Sequence, residues 1–126
     1  YEAFRRACTV IPAVNQVEAH IFFQQRGLIE EMKKHGTHMQ AWSPFAAGKN
    51  DFFSNPVLRA LGLAHNKTPA QIALRYLVQL GISVIPKSSH RERMRENLGI
   101  FDFQLQDEDM QRIRALDGGK TLFGWY

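Results

Sequence analysis

The sequence is poor in cysteine, in long apolar runs and in concentrated charge. Its single cysteine, Cys8, rules out a disulfide within the chain and suits a reducing compartment. No apolar run approaches the roughly 20 residues needed to cross a bilayer, so no membrane segment is expected. The opening residues, Tyr1-Glu-Ala-Phe-Arg-Arg6, mix polar and apolar types and do not form an apolar targeting segment, which makes a cytoplasmic location the expectation. Basic residues number 16 against 12 acidic ones, a net charge of +4, but they are spread along the chain without a basic arm. That excess favours anionic partners and does not suit nucleic acid as the main one. Internal repeats and low-complexity segments are also missing.

What is present is ordinary globular composition. With 126 residues, 44% of them hydrophobic, the chain can bury the core of one modest domain. It opens without Met, on a Tyr1 to Ala7 stretch that reads as a helix already under way. It ends on two aromatics, Trp125 and Tyr126. The expectation is a piece of a longer chain.

The interior alternates strand and helix. Pro12 to Glu18 reads as a strand with β-branched Val14 and Val17. Gln24 to His35 carries Leu28, Ile29 and Met32 at helical spacing and stops at Gly36. Met39 to Ser43 is a short strand broken by Pro44, and Phe45 to Ser54 a loop. Ser54 is the expected cap of the next helix, which holds Val57, Leu58 and Leu61. Thr68-Pro69-Ala70-Gln71 opens another, with Thr as cap, Pro in the first turn and Gln at the third position. That helix ends at Gly81. A third strand covers Ile82 to Ile85, and Ser89-His-Arg-Glu92 predicts a capping box for the helix that follows. A last helix spans Asp107 to Leu116, with Met110, Ile113 and Leu116 turned inward and Gln106 a poor cap. Strands alternating with helices mean parallel strands joined by right-handed crossovers. An open doubly wound sheet and part of an eight-unit barrel both fit.

The most informative stretch is Ile85 to Asn97. A strand end, a basic hydroxyl-rich turn and a helix start make an anion site, because backbone N–H groups and the helix dipole point at the ligand. Lys87 and Arg93 add positive charge, and Ser88 and Ser89 add hydroxyl donors. The ligand suited to such a site at neutral pH is a phosphate.

Four segments then match a known family in order and spacing: Pro12 to His20 (PAVNQVEAH), Ala41 to Gly48 (AWSPFAAG), Thr68 to Leu77 (TPAQIALRYL), and Ser83 to Ser89 (SVIPKSS) running on through Asn97 to Phe103 (NLGIFDF). The chain resembles the C-terminal half of the aldo-keto reductases, and among them the bacterial-type enzymes similar to diketogluconate reductases. The resemblance covers about Val10 to Phe123. It implies an α/β fold, the C-terminal portion of a (β/α)8 TIM barrel with about strands six to eight and their helices, within a single barrel domain. Such sites lie at the C-terminal ends of the strands.

Roles follow by resemblance. Gln16, which alone reads as a buried strand amide, matches the residue contacting the nicotinamide carboxamide. Trp42, which alone reads as core packing, matches the aromatic that stacks on the nicotinamide ring. Ser43, Pro44, Phe45, Ala47 and Gly48 match the loop along the pyrophosphate. Lys87, Ser88, Ser89 and Arg93 match the group holding the adenosine 2′-phosphate, which implies NADP(H) in preference to NADH. Glu96 and Asn97 match residues holding the adenine, and Ala70 a small residue beneath it. The implied reaction is NADPH-dependent reduction of aldehydes or ketones to alcohols in the intact protein. The implied partner is a small carbonyl substrate, with no obligate oligomer. A non-catalytic nucleotide-binding or regulatory barrel and an inactive truncated remnant are the alternatives.

The family's catalytic Asp, Tyr, Lys and His come from earlier strands, so no catalytic residue and no metal ligand is assigned here. His20 is expected to be structural, Tyr76 to lie in the core, and the chain alone to be inactive. Ile21 stands where the family usually has Pro, so a less constrained loop is expected there.

Overall fold

The computed structural model describes residues 1–125. Its elements run α1 (Glu2–Ala7), β1 (Val14–Glu18), α2 (Arg26–Lys34), β2 (His38–Trp42), a broken 3-10 segment (Ala46–Ser54), α3 (Pro56–His65), α4 (Pro69–Gln79), β3 (Ser83–Val84), α5 (Arg91–Leu98) and α6 (Asp107–Arg114). The strands form one parallel sheet in the order β1-β2-β3. Gln16 pairs with Gln40, and Gln40 in turn with Ser83. Consecutive parallel neighbours joined by helices are the expected βαβ units, and the sheet is not closed.

Side chains alternate across a strand, and here the two faces differ sharply. Val17, Met39 and Ala41 join a core built with Ile29, Met32, Leu58, Leu61, Ile72, Ala73 and Leu77 from the helices. The other face carries Val14, Gln16, His38 and Ser83, which are exposed, and Gln40. Val14 is 52% exposed, and His38 Nε2 reaches Ser83 Oγ across it at 2.8 Å. Most expected elements appear with shorter ends. The α2 helix starts two residues late because Gln24 turns inward and Gln25 takes a left-handed conformation with φ 55°. The third strand shrinks to Ser83–Val84, although Ile85 N–H still donates to Ala41 O at 3.3 Å.

Helix ends decide where the loops point. Thr68 caps α4 as expected: its hydroxyl accepts from Gln71 N–H at 3.2 Å, and Gln71 Oε1 accepts from Thr68 N–H at 3.0 Å. Gly81, at φ 81°, ends α4 by the left-handed turn that glycine adopts without strain, and Ile82 N–H folds back to Leu77 O at 3.1 Å.

Two expected caps are corrected. Asn55, not Ser54, caps α3, with Oδ1 accepting from Val57 and Leu58 N–H at 3.0 and 3.2 Å. Ser54 is drawn back instead, its hydroxyl donating to Asp51 O. Ser89 forms no capping box: His90 is the first residue of the α5 boundary and gives no side-chain cap. At α6, Asp109 strengthens a start expected to be weak by accepting from Gln106 N–H at 3.1 Å.

Candidate functional site

The missing cap on α5 matters because the first-turn N–H groups of a helix need acceptors. Ser88, which could have supplied one, spends its hydroxyl on His90 N–H at 3.1 Å, outside the helix. The α5 start is left without a side-chain acceptor and opens on a cavity of about 410 Å³. Lys87, Ser88, Ser89, His90 and Arg93 line one part of it, and Glu96 and Asn97 the next turn of α5. Phe45 and Phe53 form an aromatic wall, with rings 5.7 Å apart. Thr68, Pro69 and Ala70 at the start of α4 complete the lining.

Lys87 and Arg93 are exposed and enter none of the ion pairs among the described residues. Glu96 is held instead, its carboxylate accepting from the Thr68 hydroxyl at 2.7 Å while its backbone oxygen accepts from Gln71 Nε2 at 2.9 Å. The capping pair Thr68 and Gln71 therefore ties α4 to α5 beside the cavity.

Seven of the residues marked from the sequence thus share one cavity: Phe45, Lys87, Ser88, Ser89, Arg93, Glu96 and Asn97. Ala70 joins them. Gln16, Trp42, Ser43, Pro44, Ala47 and Gly48 lie outside its lining. Gln16 is exposed on the open face of β1, not buried as its residue type alone suggests. Trp42 ends β2 opposite Glu18 in the strand register. Its ring lies 5.2 Å from Phe123 and 5.5 Å from Trp125.

The Ser43 to Asp51 loop between Trp42 and the cavity is held in unusual backbone. Ser43, Ala46, Ala47, Asn50 and Asp51 all have φ between 51° and 54°. Left-handed non-glycine residues each cost of the order of 1 kcal/mol and tend to persist at ligand-binding loops.

Phe53 and His90 also line the cavity, although neither stands out in the sequence as a ligand residue. Nor does a buried network at the end of β1 stand out there. Glu18 is 4% exposed and His20 fully buried. Glu18 Oε1 accepts from Leu122 N–H at 2.8 Å and lies 3.0 Å from His20 Nε2, while Oε2 accepts a bond from the Thr121 hydroxyl. Phe22 N–H donates to His20 Nδ1 at 3.3 Å. Nδ1 therefore carries the lone pair and Nε2 the proton that Glu18 accepts, a tautomer assigned from the bond network. Burial pushes the Glu18 carboxyl up, but the bonds from Thr121, Leu122 and His20 outweigh it and hold it below its ordinary 4.5. Burial also lowers His20 below 6.5, against the pull of Glu18.

Next to it, Gln24 Nε2 donates to Ile21 O at 2.8 Å and Ile113 O at 2.9 Å, and its oxygen accepts from Tyr76 Oη at 2.7 Å. Burial pushes Tyr76 up to about 12. His20 and Tyr76 are therefore both buried and bonded within the chain, Tyr76 in the core as expected. Ile21 is fully buried, and its loop is tied by the mutual backbone bonds of His20 and Phe23, so the missing proline leaves no slack loop.

Comparison with known proteins places this geometry. Residues 2–118 match the model of the aldo/keto reductase family. Over 113 residues the chain is 43% identical to the methylglyoxal reductase DkgA of Yersinia pestis, covering 90% of this chain and 41% of that protein. The solved aldo-keto reductase MGS-M4, from a Medee basin deep-sea metagenome, superimposes with a TM-score of 0.90 at 38% identity, over 94% of this chain and 44% of that one. A variant of Gox0644 solved with NADPH gives 0.85 at 40% identity, over 92% and 42%.

The parallel strands and their crossover helices form part of an α/β fold of the TIM-barrel type. The chain belongs to the aldo/keto reductase family. It spans about two fifths of the length of the curated relatives it matches. Among the described residues no helix is long and apolar enough to cross a membrane.

Proposed function

We propose that this chain is the C-terminal, cofactor-gripping segment of a single-domain NADPH-dependent carbonyl reductase. The observation that carries this reading is the start of α5, which has no side-chain cap, beside Lys87 and Arg93, two cations on one cavity with no ion-pair partner among the described residues. A monoester phosphate needs several donors, and this corner offers backbone N–H groups, hydroxyls from Ser88 and Ser89, an ammonium and a planar guanidinium. The cavity is large enough to take the adenosine end of a dinucleotide, with Ala70 and Pro69 as an apolar floor and Glu96 and Asn97 at its edge. Phe45, Pro44, Ala47 and Gly48 would lead the pyrophosphate from there toward Trp42. Gln16 and Trp42, on neighbouring strands and one face of the sheet, would receive the nicotinamide, by an amide contact and by ring stacking.

NADPH when bound supplies the hydride that reduces an aldehyde or ketone. This chain's part is binding, orienting and shielding. Neither Tyr76, buried against Gln24, nor His20, bonded to Glu18, is placed to protonate the carbonyl oxygen. Without the catalytic residues that the family carries on earlier strands, the 126-residue chain is inactive alone. Mixing it with NADPH and a broad-specificity aldehyde gives no turnover above blank, and measurable turnover contradicts this. Binding is the sharper test. Arg93→Ala and Lys87→Ala each weaken NADPH about tenfold or more and leave NADH unchanged. Equal, weak binding of NADPH by the wild type and both variants means that the phosphate site is not formed.

A further inference from the structure

Glu18 takes no part in the proposed cofactor grip, yet its carboxylate is buried and bonded on every side. A buried carboxylate is costly unless its lone pairs are satisfied. Two of the three donors here come from the C-terminal segment: the Thr121 hydroxyl and Leu122 N–H. The third, His20, is fixed by Phe22. Thr121 relays the constraint, because its oxygen also accepts from Phe123 N–H at 3.2 Å and Gly124 N–H at 2.9 Å, closing a tight turn. Lys49 clamps the same turn from the other side. Its ammonium donates to Leu122 O at 2.8 Å and stands 4.2 Å from the centre of the Phe123 ring. The outcome is a cluster in which Phe123 and Trp125 flank Trp42, with Trp125 itself 74% exposed and facing open space.

We propose that Glu18 is a positioning residue for the carbonyl substrate: by latching Thr121 and Leu122 it fixes Phe123 and Trp125 beside Trp42, and so builds the aromatic wall along which a flat, apolar substrate group lies. This rests on the reading that puts the reacting end of the cofactor at Trp42. The wall is made by residues far apart in the chain, so its shape depends on the latch and not on local backbone preference. Trp42 alone offers one ring face, whereas the latched tail adds two rings at 5.2 and 5.5 Å. A flat apolar group gains from such a corner through stacked and edge contacts, and a short hydrophilic carbonyl compound does not.

The test compares the wild-type protein with Glu18→Gln, Thr121→Val and Thr121→Ser. Thr121→Val acts at the half-buried tail and keeps the test open should Glu18→Gln fold poorly. Three quantities are read: amide exchange at Leu122, Phe123 and Gly124, the near-ultraviolet circular dichroism of the Trp42–Trp125 pair, and benzaldehyde affinity of the protein loaded with NADP. With the latch broken, those amides exchange about tenfold faster, while Ala41 in β2 is unchanged. The coupled tryptophan signal is lost and benzaldehyde binds about fivefold more weakly, with propanal unaffected. Thr121→Ser, which keeps the hydroxyl, retains all three wild-type values. Faster exchange with unchanged benzaldehyde affinity overturns the proposal, since Glu18 is then only structural, and so does unchanged exchange. A separate titration with 2′,5′-ADP isolates the underlying reading. Wild type that fails to bind it removes the cofactor assignment and this proposal with it, whereas wild type that binds it alongside latch variants with normal benzaldehyde affinity removes this proposal alone.

Discussion

At the start of α5 and at the end of β1, the chain places charged side chains near strand ends, and it treats them in opposite ways. Lys87 and Arg93 stand exposed beside a cavity with no ion-pair partner among the described residues, and the helix behind them lacks a side-chain cap. Glu18 and His20 are buried and fully bonded, each fixing the other's protonation. Unpaired groups are poised for an external ligand, and saturated groups hold the molecule's own segments together. Substitutions should separate accordingly, the first region changing cofactor affinity and the second changing stability with cofactor affinity kept.

The largest effect belongs to the saturated region. Glu18→Ala strands the Thr121 hydroxyl, Leu122 N–H and His20, and lowers stability by about 3 kcal/mol, read as a drop in the urea midpoint at constant slope. Affinity for 2′,5′-ADP stays unchanged in the folded fraction. Arg93→Ala should invert that pattern: NADPH weakens about tenfold, near 1.4 kcal/mol, and the urea midpoint moves by less than about 0.5 kcal/mol, as for a surface change. Tyr76→Phe leaves Gln24 Oε1 without its donor and costs about 1 kcal/mol, again with no effect on ligand affinity.

The smallest and most diagnostic effect is that of pH. Both His20 and Glu18 sit below their ordinary values. The unfolded chain therefore takes up protons first, below about 6.5 at His20 and below about 4.5 at Glu18. Stability from this pair is complete above 6.5 and declines on acidification, so the urea midpoint falls between about pH 7.5 and 5.5. A midpoint that rises over this interval contradicts the assignment of a neutral His20.

How much was legible in the sequence follows the same division. The three strands, the order of the helices and the Thr68 capping box are local patterns, carried by apolar spacing and by residues three apart. The phosphate corner was legible because Lys87, Ser88, Ser89 and Arg93 lie within one short stretch. Caps were less so: Ser54 and Asn55 are both good capping residues, and the backbone at Pro56 chose Asn55. Ser89 failed as a cap because the chain enters α5 at His90. The Glu18 latch was not legible at all, because its partners Thr121 and Leu122 lie 103 and 104 residues away. The one local hint was an acidic residue and a histidine, Glu18 and His20, set two apart in an otherwise apolar Val17 to Phe23 run.

The corner formed by β3 and α5 is proposed to grip a 2′-phosphate. That grip is tested most directly by calorimetric titration of the wild-type protein and of Arg93→Ala with NADPH and with NADH. Wild type is expected to bind NADPH at least about tenfold more tightly than NADH, and Arg93→Ala to abolish this preference. Equal affinity of the wild type for the two cofactors, or a preference that survives in Arg93→Ala, contradicts it.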